Sequence, residues 1–240
     1  MLLYYVRHGD PTYDPDELTP FGQRQAEAVC RRIARYGIDR IFSSTSTRAY
    51  ETAKPLAQIY KKEITQLDWC HEKHTYEDLT IVDEMGKKCW AQRYMPIRRV
   101  LAQEKCRRLG SEWYEHPDLK RWRDQFKACM NRVNMHTDEL MKELGYEHDR
   151  EAGMYNIVRD NPERVALFAH ADFGRVFLSS LLDISYPEMA LRTDMCHTGV
   201  TVIEFIERGG VCMPRMLTYS NDAHLYAENL PTHYNRRVFI

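Results

Sequence analysis

The sequence predicts an α/β protein, a three-layer sandwich with a mostly parallel, doubly wound sheet and a helical cap insertion. Short apolar runs near both ends of the chain alternate with segments whose apolar residues recur at helical spacing. Between these parts, residues 68–162 are charged and rich in aromatic residues, with little β-branched content. A strand–helix alternation interrupted by one helical block is typical of a doubly wound sheet that carries an insertion.

The first predicted strand, residues 2–6, is a continuous apolar and aromatic run that leads directly into Arg7, His8 and Gly9. A guanidinium beside an imidazole is unfavourable in a core but suits the binding of an anion. Ligands of open α/β sheets bind at the carboxyl ends of the strands, so we expect this tripeptide to face a binding site.

Periodicity and turn signals predict the other elements of the core. Thr19 is the expected N-cap and Pro20 the first residue of a helix that Gly37 closes. A second helix is expected over 46–60, distorted at Pro55. Further strands are predicted at 38–43, 63–67, 164–169, 199–206 and 211–219, and further helices at 174–182 and 186–191.

The middle of the chain predicts two long helices, over 85–109 and 113–144. We therefore expect a core of residues 1–84 and 161–240 and a helical insertion over 85–160, all in one structural domain. Within the insertion, residues 87–132 hold 13 Lys or Arg against 5 Asp or Glu, a local charge of +8. We interpret this block as a cap lined with cations for a charged substrate. Its interleaved aromatic residues also fit an RNA-binding surface.

Composition narrows the remaining possibilities. The net charge of the chain is −1, so nucleic acid is not the expected partner, and no run reaches the roughly 20 apolar residues of a membrane span. The chain opens on a strand without the features of a leader, and its seven cysteines lack paired spacing. These features predict a reduced, cytoplasmic protein that does not bind membranes. The oligomeric state stays open between a monomer and a homodimer, which exposed aromatic residues of the cap would allow.

Three further motifs accompany Arg7-His8-Gly9 in a fixed order. They are Leu18-Thr19-Pro20-Phe21-Gly22-Gln23-Arg24-Gln25-Ala26, Ile41-Phe42-Ser43-Ser44 followed by Thr47-Arg48-Ala49-Tyr50-Glu51-Thr52-Ala53, and Val165-Ala166-Leu167-Phe168-Ala169-His170. In this order and register the chain resembles the histidine phosphatase family, in its phosphoglycerate-mutase-like branch. The resemblance covers residues 1–60 and about 164–206, and it leaves out the middle of the chain.

The resemblance implies a catalytic mechanism. His8 would be the nucleophile that forms a phosphohistidine, which water then hydrolyses. Arg7, Arg48 and His170 would bind the phosphoryl group of a small phosphorylated substrate and neutralise its charge. No metal and no cofactor are implied. Taken singly, each histidine could equally be a hydrogen-bonded structural residue, and Arg48 a solvated surface charge.

A carboxylic acid that protonates the leaving oxygen is also implied, just after the third strand. In the family this acid usually stands in a Leu-x-Glu context followed by a glycine and a tryptophan. Residues 67–74 keep neither that spacing nor the glycine, so Glu72 is the first candidate and Asp68 the second, and either could be a surface charge. Cys70, His71 and His74 lie in the same stretch. One short cluster without a second ligand pair does not predict zinc.

The residues after Gly9 differ from those of cofactor-dependent mutases, which carry Glu-Ser-x-x-Asn at this place. Here the sequence is Asp10-Pro11-Thr12-Tyr13-Asp14, which favours hydrolysis over transfer. We expect Asp10 and Tyr13 at the mouth of the pocket, as substrate-binding residues or as residues that stabilise the loop. The alternatives to a phosphatase are a phosphoglycerate-type mutase and a catalytically weak module that senses a phosphate ligand.

Several other polar residues are singled out without an assigned chemistry. Three serines of the second strand-to-helix turn are expected to shape that turn, and a histidine ahead of the last core strands is expected to be structural. The serines are Ser43, Ser44 and Ser46, the histidine is His197, and residues 221–225 form a distinctive segment of unassigned role.

Overall fold

The computed structural model describes residues 1–236 and 238. The strands are β1 (Leu2–Arg7), β2 (Pro11–Tyr13), β3 (Asp16–Leu18), β4 (Arg40–Ser44), β5 (Ile64–Leu67), β6 (Thr80–Val82), β7 (Lys88–Trp90), β8 (Tyr146–Asp149), β9 (Met154–Ile157), β10 (Arg164–Ala169), β11 (Val200–Glu204), β12 (Glu207–Arg208), β13 (Val211–Cys212) and β14 (Arg215–Asn221). The α-helices are α1 (Pro20–Ala34), α2 (Thr47–Tyr60), α3 (Glu72–Asp78), α4 (Met95–Leu101), α5 (Glu104–Arg107), α6 (Arg123–Glu143), α7 (Ala171–Leu182), α8 (Tyr186–Arg192) and α9 (Ala223–Ala227). Short 3-10 helices lie at Asp68–Cys70, Ala91–Arg93, Gly110–Glu115 and Pro117–Leu119.

The chain divides into two compact units. The first consists of Met1–His71, Asp160–Ala171 and Asp194–Ile240, and the second of Glu72–Arg159 and Asp172–Thr193. The two units are divided by how compactly the chain packs, whereas the insertion over 85–160 is predicted from composition. The insertion and its boundaries therefore stay a prediction.

The first unit contains a six-stranded sheet in the order β14-β11-β1-β10-β4-β5. β1, β10, β4 and β5 are parallel to one another, whereas β11 runs antiparallel to both β1 and β14. The carboxyl ends of the four parallel strands therefore meet at one edge, where His8 and His170 each follow a strand. This is the expected place for a site in such a sheet.

Helices α1 and α2 bury their apolar faces against one face of this sheet. Val29 and Ile33 of α1 and Leu56 of α2 are almost fully buried against β1, β4 and β10. Burying a side chain of this size stabilises the fold by about 1.5–3 kcal/mol. Thr19 caps α1 as predicted, since its hydroxyl accepts a hydrogen bond from the N–H of Gly22 at 2.9 Å. The packing fixes the first turns of both helices beside the sheet edge.

The second unit is built around helix α6 and a cluster of aromatic residues. Trp113 is 1% exposed, and its ring lies 5.2 Å from that of Phe126 in α6 and 5.0 Å from that of Tyr186 in α8. Two hairpins, β6–β7 and β8–β9, complete this unit. The aromatic residues of the basic block thus include core residues, with Trp113 at the centre of the cluster.

Many cations of the basic block are paired within the second unit. Arg107 contacts Glu188 at 2.8 Å, and Arg132 contacts Asp78 at 2.7 Å. Half-buried surface pairs of this kind contribute little to stability, but they reduce the positive charge that the block offers to a partner. Binding of a charged substrate or of RNA by this block remains a prediction.

Four predictions of local structure are wrong. A single helix over 85–109 does not form, because Gly86 adopts a φ of +76° and turns the chain into β7, and Pro96 then starts the short α4. The predicted loop after Gly9 is the β2–β3 hairpin. The predicted strand over 211–219 is divided into β13 and β14. The predicted helix over 113–144 is α-helical only in α6, and the residues before α6 form the 3-10 turns Gly110–Glu115 and Pro117–Leu119.

The predicted fold class is confirmed: the protein is mixed α/β, with a central, mostly parallel sheet flanked by helices. The helix over 46–60 is also confirmed as α2, which runs through Pro55 without a break. Among the residues that the model describes, no helix combines the length and the apolar character needed to cross a bilayer.

Candidate active site

His8 is held by its main chain to three other parts of the first unit. Its N–H donates to the carbonyl of Ala169 at 2.9 Å, and its carbonyl accepts from the N–H of Thr198 at 3.2 Å. The next N–H, that of Gly9, donates to Oγ1 of Thr52 in α2 at 3.0 Å. With an exposure of 1%, the His8 side chain has little freedom to move away from the sheet edge.

The hydrogen bond that His8 makes determines its tautomer. Nδ1 lies 2.7 Å from the carbonyl oxygen of Gly9. A carbonyl oxygen can only accept, so Nδ1 carries the proton and Nε2 keeps its lone pair. The structure therefore presents a neutral imidazole with its basic nitrogen available for attack.

Burial and positive neighbours keep the His8 ring neutral. Burial lowers the pKa of His8 well below its usual value, and the charges of Arg7, His170, Arg48 and His197 lower it further. These four side chains come from different segments of the sequence but act on the same ring. A cationic environment of this kind attracts an anion while leaving the basic nitrogen of His8 unprotonated.

His170 has the opposite tautomer. Nη2 of Arg48 lies 3.1 Å from Nδ1 of the ring, and because a guanidinium can only donate, Nδ1 is the acceptor. Nε2 then carries the proton and donates to Oγ of Ser44 at 2.9 Å. The two rings, with centroids 5.2 Å apart, meet edge to face. Burial, followed by the charge of Arg48, keeps the pKa of His170 well below its usual value.

Arg48 is oriented by the β2–β3 hairpin. Asp16 accepts from Nη1 of Arg48 at 2.5 Å with one carboxylate oxygen and from the N–H of Thr47 at 3.0 Å with the other. The guanidinium also lies 5.3 Å above the ring of Tyr13, which is 61% exposed. The predicted residue Tyr13 thus contacts a predicted phosphate-binding arginine and reaches solvent at the same time.

Arg7 is 1% exposed and anchored by its terminal nitrogens. Nη1 donates to the carbonyl of Met195, and Nη2 donates to the side-chain oxygen of Asn235. Asn235 also lies 3.2 Å from Nε2 of His197. Asn235 therefore orients both an arginine and a histidine beside His8.

Asp10, predicted at the pocket mouth, is part of the same polar network. Its carboxylate accepts from Oγ1 of Thr19 at 2.9 Å and lies 3.3 Å from Nδ1 of His197. The hydrogen bond from His197 is the main cause of the lowered pKa of Asp10, and Thr19 adds to it against the opposing effect of burial. Asp10 thus connects the first turn of α1 with the ring of His197, which lies 5.8 Å from that of His8.

The chain passes so close to α1 that two glycines are required. A Cβ atom on Gly9 would lie 2.7 Å from the carbonyl oxygen of Gly22. A Cβ atom on Gly22 would in turn collide with the backbone of Asp10. Both contacts involve main-chain atoms, which cannot rotate away. The close approach places the residues after His8 against the N-terminus of α1.

The predicted acids lie in different units. Asp68, in the first unit, accepts from Oγ1 of Thr45 at 2.9 Å. Glu72 begins α3 in the second unit, where Oε1 accepts from the N–H of Asp172 at 3.3 Å. His71, the residue before Glu72, lies in the first unit with its ring 6.0 Å from that of His170.

Part of the sequence matches a known family. Residues 3–95 match the family model described as "Histidine phosphatase superfamily (branch 1)". Over these residues the chain is similar to this superfamily. The matched residues include Arg7, His8 and Arg48, three of the four residues predicted to form the phosphate pocket, and they end before His170. No curated protein sequence is significantly similar to this one.

Solved structures show the same fold at low sequence identity. A phosphoserine phosphatase mutant from Entamoeba histolytica, in complex with phosphoserine, has a TM-score of 0.59 and 19% identity, covering 93% of this chain and 98% of that one. A mycobacterial glucosyl-3-phosphoglycerate phosphatase has a TM-score of 0.56 and 18% identity, covering 91% and 98%. The α-ribazole phosphatase from Shigella flexneri has a TM-score of 0.55 and 14% identity, covering 92% and 97%.

The structure adds roles that the sequence patterns did not assign. Asp16 and Asn235 orient the two arginines, and Ser44 orients His170. His197, expected to be structural, contacts both Asp10 and Asn235 beside His8. Asn235 follows His8 by 227 positions in the sequence, so no local pattern could have connected the two.

The segment 221–225 has a structural role. The side-chain oxygen of Asn221 accepts from Arg32 at 2.7 Å, and Nε2 of His224 lies 2.9 Å from Oγ1 of Thr198. Burial, with a smaller effect of Arg32, lowers the pKa of His224 to about 4. A neutral His224 thereby supports Thr198, whose N–H holds the carbonyl of His8.

Proposed function

We propose that this protein is a metal-independent phosphatase that hydrolyses a small phosphomonoester through a phosphohistidine on His8. The observation that carries the proposal is the state of His8: a buried, neutral imidazole whose Nε2 keeps its lone pair beside Arg7 and Arg48. A phosphoryl group needs a nucleophile and positive charge around its oxygens, and these residues supply both.

The reaction consists of two displacements. Nε2 of His8 attacks the phosphorus and forms a P–N bond, while the bond to the leaving oxygen breaks and its electron pair goes to that oxygen. Water then attacks the phosphorus, the P–N bond breaks, its electron pair returns to Nε2, and orthophosphate leaves. The hydrogen bond from Nδ1 to the carbonyl of Gly9 stabilises the positive ring of the phosphohistidine between the two steps.

Glu72 remains our proposal for the acid that protonates the leaving oxygen and then takes the proton from water. Its carboxylate accepts a hydrogen bond from the N–H of Asp172, two positions after His170 in the sequence. It also directly follows His71, whose ring lies near that of His170. The hydrogen bond to Asp172 and the peptide bond to His71 thus both link Glu72 to residues near His170. This supports Glu72 over Asp68, whose carboxylate accepts from Thr45.

The substrate class is a small phosphomonoester. The structurally similar proteins are named after three different substrates, phosphoserine, glucosyl-3-phosphoglycerate and α-ribazole phosphate esters, and the common group is the phosphate. In this chain, Tyr13 and Asp10 are the proposed contacts to the rest of the substrate. The exposed Tyr13 ring offers an apolar surface beside Arg48.

The test is hydrolysis of p-nitrophenyl phosphate in the presence of EDTA. We expect turnover by the natural protein, none by His8→Ala, and unchanged turnover by His136→Ala, a histidine on α6 in the second unit. After rapid mixing with a radiolabelled substrate, we expect a label on His8 that is stable in base and lost in acid, as a phosphohistidine is. Hydrolysis that persists in a folded His8→Ala variant would overturn the proposal.

The same assay separates the two alternatives. A phosphoglycerate-type mutase would isomerise a phosphoglycerate in the presence of a bisphosphorylated primer instead of releasing phosphate. A sensing module would bind phosphate with no turnover in any variant.

The proton-transfer role of Glu72 is tested by Glu72→Gln. Relative to the natural protein, we expect this variant to lose more kcat with substrates that have poor leaving groups than with p-nitrophenyl phosphate.

A further inference from the structure

The first unit contains a cavity of about 270 Å³ at a distance from His8. It lies between the C-terminal half of α1 and the sheet, and its walls are largely apolar, with Leu2, Ile33, Val200 and Val202 among them. Leu2 is at the amino end of β1 and Arg7 at the other end, five residues away, which corresponds to about 17 Å along a strand. The lining extends along the sheet from Leu2 to Val200, which pairs with Val6, and among the described residues it does not include Arg7, His8, Arg48 or His170.

Two guanidiniums line this apolar cavity. Arg32 comes from α1 and Arg164 from the first position of β10. Both are half-buried. Two like charges in one low-dielectric space repel each other and lose hydration, so an apolar cavity with two arginines is costly unless something negative offsets them.

Neither arginine has a carboxylate partner within the part of the chain that the model describes. Nη1 of Arg32 donates to the main-chain and side-chain oxygens of Asn221, at 3.2 and 2.7 Å, and these oxygens are neutral. Nε of Arg164 is buried without any hydrogen-bond acceptor in the described residues. The carboxylate of Asp39 accepts the main-chain N–H of Arg164 at 2.8 Å. Among the described residues it forms no ion pair with the guanidinium of Arg164.

The tyrosines of the cavity fit the same ligand chemistry. Tyr4 and Tyr36 also line it, and Tyr36 is 64% exposed at the opening. Phenol hydroxyls can donate to an oxyanion, and their rings extend the apolar wall. The pattern is one of a few polar donors in an otherwise apolar cavity, as in small-molecule sites.

We propose that this cavity binds a small organic anion, an oxyanion head group between Arg32 and Arg164 with an apolar body against Leu2, Ile33 and Val202. The head group is a carboxylate or a phosphate, since both match the forked donors of arginine. The site is separate from the phosphate pocket, whose arginines are Arg7 and Arg48. The inference does not depend on the proposed phosphatase activity.

The test uses 2-naphthoate as the probe and neutral 2-naphthamide, of the same shape, as its matched control. Binding is measured by calorimetry in phosphate-free buffer with the full chain and with Arg48→Gln, so that binding in the phosphate pocket is recognised by its loss in that variant. We expect naphthoate to bind and naphthamide to bind at least tenfold more weakly, because only the carboxylate makes charge-assisted hydrogen bonds.

Variants locate the site. Arg32→Gln and Arg164→Gln should each weaken naphthoate binding about tenfold or more, and Val202→Phe should abolish it by filling the cavity. Arg31→Gln is the matched control, because Arg31 is the next residue on α1 but is exposed and paired with Glu228; its affinity should not change.

Four results would overturn the proposal. They are no binding of naphthoate at about 1 mM, equal affinity for naphthamide, competition by inorganic phosphate with loss in Arg48→Gln, and unchanged affinity in both Arg32→Gln and Arg164→Gln. Urea unfolding provides a folding check on each variant. Removal of a charge without a partner should leave Arg164→Gln at least as stable as the natural protein, so the binding result stays interpretable.

Discussion

Nη2 of Arg48 lies 3.1 Å from Nδ1 of His170, so one candidate phosphate-binding residue sets the protonation of another. Because the guanidinium only donates, it forces the proton of the ring onto Nε2, which bonds to Ser44. The carboxylate of Asp16 holds Arg48 in this position. The charge and the orientation of the pocket therefore depend on the same side chain.

Arg48→Lys should lower kcat/KM for p-nitrophenyl phosphate by about 100-fold. Lysine keeps the charge but loses the planar fork that contacts Asp16 and His170 at the same time, and the loss of one positioned donor has about this effect in other active sites. Steady-state kinetics measure it. Arg31→Lys, at an exposed pair with Glu228, is the control. A change smaller than threefold would show that charge alone is sufficient at this position.

Thr52→Val should destabilise the protein by about 1–3 kcal/mol. The hydroxyl of Thr52 accepts from the N–H of Gly9 at 3.0 Å and donates to the carbonyl of Arg48 at 2.7 Å, and valine leaves both groups buried without this partner. Urea unfolding followed by circular dichroism gives the difference. Thr12→Val, in the exposed hairpin, should change stability by less than about 0.5 kcal/mol. Equal effects of the two variants would contradict the role assigned to Thr52.

Gly22→Ala should destabilise the fold by about 1–3 kcal/mol or more, because the new methyl group collides with the main chain of Asp10. The comparison is Gly153→Ala, where φ is +66° but no atom lies within 4 Å of the added Cβ. That variant should lose only about 1 kcal/mol from backbone strain. Thermal unfolding of both variants separates steric from conformational cost. A Gly22→Ala protein as stable as Gly153→Ala would disprove the close approach.

The stability of the second unit should fall as pH rises above neutrality. The side chain of His148 is inaccessible to solvent, with Nδ1 3.2 Å from Asp138 and Nε2 2.9 Å from Asp183, and its ring stacks on Tyr155. Burial alone would lower the pKa of His148, but the bonds to Asp138 and Asp183 outweigh it and the pKa is raised. Arg150, also bound to Asp138, opposes this rise.

The sign of the pH effect follows from linkage. A raised pKa in the folded state stabilises the protein fully below the unfolded value of about 6.5 and loses this contribution as pH passes the folded pKa. We therefore expect the free energy of unfolding to fall more between pH 6 and pH 9 in the natural protein than in His148→Gln. The variant should also be about 1–3 kcal/mol less stable at pH 6. His136→Gln is the control, and identical pH profiles for all three proteins would refute the effect.

Local patterns were sufficient for the parallel strands and for the cluster at their ends. His8 and His170 directly follow β1 and β10, Arg7 is the last residue of β1, and Arg48 lies in the first turn of α2 after β4. Because these three strands are parallel neighbours, the sequence pattern could predict that the four residues lie close together. Their partners could not be predicted in this way. Asn235 reaches Arg7 across 228 positions, and no periodicity reports such a contact.

The middle of the chain was predictable only in part. Helix α6 has a regular apolar stripe, which includes Phe126, Val133 and Leu140, and so it was identified. The segments before it are divided by Gly86 and Gly110, both at positive φ, into pieces too short for periodicity to be informative. Glu72 begins one of these short pieces, which is why its role remains a proposal.

The tautomers of the two histidines differ in how easily evolution could alter them. That of His170 rests on the side chains of Arg48 and Ser44, so a single substitution at either position can reassign its proton. That of His8 rests on the carbonyl of Gly9, a main-chain atom that every amino acid carries. Substitution of a neighbouring side chain therefore leaves the lone pair on Nε2 of His8, whereas it can move the proton of His170. Divergence at this sheet edge can change what is bound while the proposed nucleophile keeps its tautomer.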